Sequence, residues 1–165
     1  MLQSLLTGAP TVANGDFDAP FMGSWYFNHL GAPITRIQYS GEYVMQIGNV
    51  NCEAEQGAAA FGRIVGTTAG ETYTLTFDYL YTQTTSRVRW GVVYFAATGC
   101  DPCPAYFFNN VRFARSVQGN QWYTWSGDFT KSQSLGNRNL TVDVDLYTCG
   151  YSGKTLLDDF IVTTK

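Results

Sequence analysis

An all-β fold, a sandwich or barrel in a single domain, is what this sequence predicts, and three observations carry it. Apolar and polar residues alternate along much of the chain, punctuated by Gly, Pro and Asn, and no helical period runs longer than about two turns. Aromatic residues make up 16% of the chain and charged residues only 14%, a balance that suits pleated, half-buried surfaces and not a disordered tail or a coiled coil. At 165 residues the chain can bury a substantial core within one domain, and neither an internal repeat nor a low-complexity linker divides it.

Residues 1–10 read as a flexible leader and residues 11–165 as the domain. The spacing predicts strands over residues 11–17, 25–28, 35–39, 43–47 and 58–65, each a short apolar or aromatic run closed by Gly, Pro or Asn. The run 72–81 is the clearest: Tyr73, Leu75, Phe77 and Tyr79 share one face, and Thr72, Thr74, Thr76 and Asp78 the other. Strands follow over 87–95 and 106–116. The stretch from Val88 to Phe95 is apolar on both sides, which leaves Trp90 and Tyr94 ambiguous between core and surface. In 123–130, Trp125 and Phe129 point inward. In 140–148, Leu140, Val142, Val144 and Leu146 face the core, leaving Thr141, Asp143, Asp145 and Tyr147 outside. A last strand covers 156–163.

The totals exclude some classes of function. A net charge of −3 with scattered Arg and Lys gives no basic patch for tracking phosphates, so nucleic acid is not an expected partner. No run approaches the ~20 apolar residues of a membrane span, and the opening Met1-Leu2-Gln3-Ser4-Leu5-Leu6 is short and uncharged for a complete signal peptide. Four cysteines, Cys52, Cys100, Cys103 and Cys149, favour disulfides and a secreted or extracellular setting. Of the three possible connectivities, Cys100–Cys103 with Cys52–Cys149 is favoured. A four-cysteine zinc site normally shows two close pairs, and only Cys100-Asp101-Pro102-Cys103 is close. Asn139-Leu140-Thr141 fits the glycosylation pattern but opens an expected strand.

Two acidic segments frame the chain, Asn14-Gly15-Asp16-Phe17-Asp18 near its start and Leu156-Leu157-Asp158-Asp159-Phe160-Ile161-Val162 near its end. With the central run from Gly70 to Phe77 and the Trp122 segment between them, the order resembles the jelly-roll carbohydrate-binding modules of the family 4/9/22 type, which are galactose-binding-like β-sandwiches. The resemblance extends from Asn14 onward. It implies jelly-roll topology and non-catalytic binding of a polysaccharide or glycan, with the module targeting an attached enzyme, or a cell-surface protein, to its substrate. It also implies a structural calcium ion held by Asp18 and Asp158, with Asp16 and carbonyls between residues 40 and 43 as further oxygens. Asp18 stands where the family commonly has Glu, one methylene longer.

Sugar rings expose weakly polar C–H faces that stack on aromatics, and their hydroxyls pair with Asp, Asn, Gln and Arg. Tyr106, Phe107 and Asn110 fall where the family carries a stacking aromatic. Arg112 follows on one face of that run, with Val111 and Phe113 on the other. Alternation adds Arg87, Arg89, Gln46, Asp143, Asp145 and Tyr147 as polar candidates. Trp25 and Trp122 match core aromatics of the family. Where the family often places a second cleft aromatic, this chain reads Cys52-Glu53-Ala54-Glu55-Gln56-Gly57, so the ring clamp is expected to be one-sided.

Catalysis has little support. His29 is the single histidine and has no motif partners, and Asp143 and Asp145 lie ~7 Å apart on one strand, a spacing equally suited to binding hydroxyls. The competing reading is a structural or protein-binding domain that packs its aromatic face against a partner chain. A small lyase or glycosidase ranks third.

Overall fold

The computed structural model describes residues 8–28, 33–48, 58–83, 91–97, 111–112, 118–146 and 153–165. The strands are β1 (Thr11–Val12), β2 (Trp25–Asn28), β3 (Ile34–Tyr39), β4 (Glu42–Ile47), β5 (Ala58–Val65), β6 (Thr72–Tyr81), β7 (Gly91–Ala97), β8 (Val111–Arg112), β9 (Trp122–Thr130), β10 (Leu140–Leu146) and β11 (Thr155–Thr164). Among the described residues a 3-10 turn at Gln133–Leu135 lies between β9 and β10, capped by the Ser132 side chain. The fold is a β-sandwich of jelly-roll topology. One sheet runs β1-β5-β10-β7-β8 with β2 also on β5, and the other runs β3-β4-β11-β6-β9. Every pairing is antiparallel.

Period-2 alternation decides which face of each strand is dry. Tyr73, Leu75, Phe77 and Tyr79 are buried as expected, as are Trp125 and Phe129 on β9 and Leu140, Val142 and Val144 on β10. Register then builds ring pairs. Tyr73 lies opposite Phe129, Phe77 opposite Trp125 and Tyr79 opposite Tyr123, and each pair is stacked with centroids 5.5, 5.0 and 5.5 Å apart. Such cross-strand aromatic pairs stabilise a sheet beyond the area they bury.

Two elements differ from expectation. The first strand ends at Val12, because Asn14 (φ 53°) and Phe17 (φ 54°) take left-handed backbone and roll residues 13–18 into a turn. Asn14 closes that turn with its own amide, donating through Nδ2 to the Ala19 carbonyl at 2.8 Å and accepting at Oδ1 from the Ala19 N–H at 2.9 Å. Asparagine tolerates this conformation for that reason. The turn delivers Phe17, fully buried, into the core against Phe21, Trp25 and Phe160. The second difference is Trp122, which is 36% exposed on the outer face of its sheet. It is the first residue of β9 and falls out of phase with Tyr123 and Trp125.

Within the six-stranded sheet, β5 makes room for the buried Trp25 by placing a glycine against it in register. A Cβ built on Gly62 would approach within 2.6 Å of the indole. Gly62→Ala is therefore expected to cost about 1–3 kcal/mol through overpacking, with the fold retained. Urea unfolding at constant m-value would read that loss, and an unchanged midpoint would mean that the indole has free space beside it.

Candidate functional site

Register across the six-stranded sheet assembles its outer face. Tyr26 lies opposite Phe61, Phe61 opposite Asp143, and Asp143 opposite Tyr94, one transverse row over four strands. The next row runs Asn28, Ala59, Asp145, Val92 and Arg112. Both rows alternate with positions that are buried: Trp25, Gly62 and Val142 in one case, Ala60 and Val144 in the other. Tyr26, 55% exposed, marks the solvent side. By backbone register, acidic, amide, guanidinium and aromatic residues thus stand at the same phase of the sheet as Tyr26.

Of the residues predicted to bind sugar, Asp143, Asp145 and Arg112 come together here, with Asp145 and Arg112 in the same row. Gln46 belongs to the other sheet, where its Nε2 donates to Thr35 Oγ1 at 3.2 Å. Tyr106, Phe107, Asn110, Arg87, Arg89 and Tyr147, together with all four cysteines, lie outside the described residues. Tyr26, Phe61 and Tyr94 complete the row, and only Tyr94 drew notice in the sequence. Tyr26 has a signal there: in Trp25-Tyr26-Phe27 one large ring must oppose the other two.

The two acidic segments also meet. The Phe160 N–H donates to the Gly15 carbonyl at 3.0 Å, and a cavity of about 400 Å³ opens beside this contact, lined by Thr11, Asn14, Asp16, Asp159, Phe160 and Ile161. Asp158, 7% exposed, accepts a hydrogen bond from the Asp159 N–H at 2.9 Å. Burial pushes its carboxyl up to about 7. That N–H pulls the other way, and the charges of Asp159, Glu42 and Asp16 add to the rise. Burial raises Asp159 as well, followed by Asp78, Glu42 and Asp16. The Asp18 carbonyl takes a different cation: Arg36 donates through Nη2 to it and through Nε to the Phe17 carbonyl, each at 2.6 Å, with its guanidinium 3.3 Å over the Tyr43 ring.

Oxygen donors with excess negative charge are the chemistry a hard cation such as calcium needs, and Asp16 is close enough for its charge to raise the carboxyls of Asp158 and Asp159. Among the described residues no three His, Cys, Asp or Glu side chains form a ready-made shell, so carbonyl or hydroxyl oxygens would have to complete one.

The raised Asp158 carboxyl has a sign that can be checked. The folded state holds the proton more tightly than the unfolded chain, so the stabilising contribution is full below about pH 4 and is lost as pH rises towards about 7. In chelator, stability attributable to this group should fall across that window by at most about 1.4 kcal/mol per pH unit. Asp158→Asn should flatten that part of the profile in denaturant melts. Parallel profiles for the two proteins would place the carboxyl in water.

No protein-family model matches the sequence, and no curated protein matches it significantly. Solved structures do match in shape. A CBM4 structure aligns over 93% of this chain and 99% of its own, at 17% identity and a TM-score of 0.60. The CBM22-1–GH10 modules of Clostridium thermocellum endo-1,4-beta-D-xylanase 10B, complexed with xylohexaose, align over 95% of this chain and 29% of theirs, at 14% identity and a TM-score of 0.62. The Stig cyclase Fisc from Fischerella sp. TAU, in complex with a pyrrolidinylidene indole, aligns over 96% of this chain and 98% of its own, at 10% identity and a TM-score of 0.67. The chain therefore has the jelly-roll β-sandwich fold found both in carbohydrate-binding modules and in at least one cyclase.

Proposed function

We propose that this protein binds a polysaccharide or glycan without chemistry, on the outer face of the six-stranded sheet. The observation that carries the reading is the transverse row Tyr26, Phe61, Asp143, Tyr94, flanked by Asn28, Asp145 and Arg112. Aromatic, acidic, amide and guanidinium residue types at register positions of one phase are the chemistry that answers both faces of a sugar, its C–H surface and its hydroxyls. The fold of the carbohydrate-binding modules supports the reading by analogy. Bound to an insoluble polymer, such a domain keeps whatever is joined to it at high local concentration, which is the targeting or adhesion role. A secreted or extracellular setting with disulfide staples fits this role. No helix among the described residues is long and apolar enough to cross a membrane.

A calcium ion held around Asp16 and Asp158, near Asp18, belongs to the same proposal. When bound it would neutralise the acids where the two ends of the chain meet and would tie those ends together.

A glycan panel screened by affinity electrophoresis or calorimetry is expected to give selective binding to one polymer class. Tyr26→Ala and Asp143→Ala should each weaken that binding at least about tenfold, the equivalent of about 1.4 kcal/mol, with the melting temperature nearly unchanged. Binding unaffected by either substitution would move the site off this face, and silence across the panel from folded protein would end the carbohydrate reading. Melting with calcium and with chelator tests the ion. At saturating calcium the wild type should gain about 2–4 kcal/mol of stability, and Asp158→Asn should lose most of that gain. Identical midpoints in calcium and chelator would remove calcium from the account.

A further inference from the structure

The outer face of the five-stranded sheet carries a second feature, separate from the proposed sugar row. Tyr39 ends β3 and Trp122 begins β9, the two edge strands, so their backbones are four strand spacings apart, roughly 19 Å in a flat sheet. Their rings nevertheless lie 6.2 Å apart, tilted 76°. The face is thus curled, and the two rims reach across it. Beneath them lies a small apolar cluster, Val44, Leu80 and Leu156, each about 1% exposed, with Ile37 and Tyr39 packed on it. Trp122 remains 36% exposed, its ring tilted against that of Tyr39.

Among the described residues, the charged groups that register brings near the rings are acidic. Asp158 lies opposite Asp78 in register, Glu42 opposite Tyr39, and Asp159 follows at the bulge. Asp78 accepts from Thr124 Oγ1 at 2.6 Å, and Asp158, more than nine-tenths buried, accepts from the Asp159 N–H at 2.9 Å. Lys154 and Lys165 stand at the two ends of the face, and Lys165 is paired with Asp128. Exposed aromatic surface with carboxylates around it favours an organic cation: the rings attract the charge by their quadrupole and the acids by Coulomb's law. A divalent ion at Asp16 and Asp158 would still leave Glu42, Asp78 and Asp159 unbalanced.

We propose that this face binds a cationic glycan, an amino-sugar chain whose unacetylated amine sits beside Asp78 and Glu42 while a ring packs on Trp122. The polymer class is the one that offers flat C–H faces and ammonium groups at regular intervals, matching rings and acids spread along one sheet face. The inference does not use Tyr26 or Asp143, so it stands or falls apart from the six-stranded face.

The test is calorimetry on the full chain at mildly acidic pH with a fully deacetylated glucosamine hexamer, and with its N-acetylated counterpart as control. The deacetylated oligomer is expected to bind at least about tenfold more tightly, and its affinity should fall steeply with added salt. Trp122→Ala and Asp78→Asn should each weaken it by about tenfold or more, while Tyr26→Ala leaves it unchanged. Asp78→Asn is nearly isosteric and covers the case in which Trp122→Ala destabilises the fold. Equal affinity for both oligomers, or wild-type affinity in Asp78→Asn, overturns the proposal. Loss of binding in Tyr26→Ala alone would assign the amino sugar to the six-stranded face and also overturn it.

Discussion

Phe160 is the residue on which the two sheets and the N-terminal turn close. Its ring lies 4.6 Å from Phe77 in parallel stack, 4.9 Å from Trp25 and 5.9 Å from Phe17, so one side chain touches its own sheet, the opposite sheet and the turn. Simple alternation would send residue 160 outward with Asp158. The bulge between Asp158 and Ile161, with Asp159 at φ 51°, inserts the extra residue that turns Phe160 inward and leaves both acids outside the core. Gly15 must be small for the same reason, since a Cβ there would collide with the Phe160 carbonyl. Aromatic packing and the acidic locus are therefore two faces of one backbone irregularity.

Most of the fold was legible because its strands follow period 2 strictly. The run from Thr72 to Tyr79 told core from surface residue by residue, and Leu140 to Val144 did the same. Legibility failed where the backbone leaves that rule. Residues 13–17 contain apolar Phe17 and read as strand, but Asn14 and Phe17 turn the chain through left-handed conformations that no periodicity encodes. At the end of the chain, Leu156-Leu157-Asp158-Asp159-Phe160 does not reveal which residue is the inserted one.

The site was legible in part, and the difference is one of pairing. Alternation within β10 puts Asp143 and Asp145 out of phase with the buried Leu140, Val142 and Val144, and the register with β7 and β8 brings Arg112 level with Asp145. Tyr26 needed knowledge of its neighbour strand, because only its pairing with Phe61 on β5 shows that it stands in line with Asp143. Gln46 illustrates the reverse: its own alternation is outward, yet its strand joins the other sheet. Face assignment is local, whereas the choice of sheet rests on contacts far apart in sequence.

The way β1 meets its sheet has a mechanical consequence. β1 holds β5 through two register pairs and shares that edge end to end with β2, while the last residues of β11 pair with β6 alone. Tension between the two ends would peel these short margins one bond at a time. It would then reach the Gly15–Phe160 clasp, where Asn14 is held by the Trp25 indole N–H and Phe17 by Arg36. The chain would thus yield slightly at its rims and resist at the aromatic knot, a graded response to load.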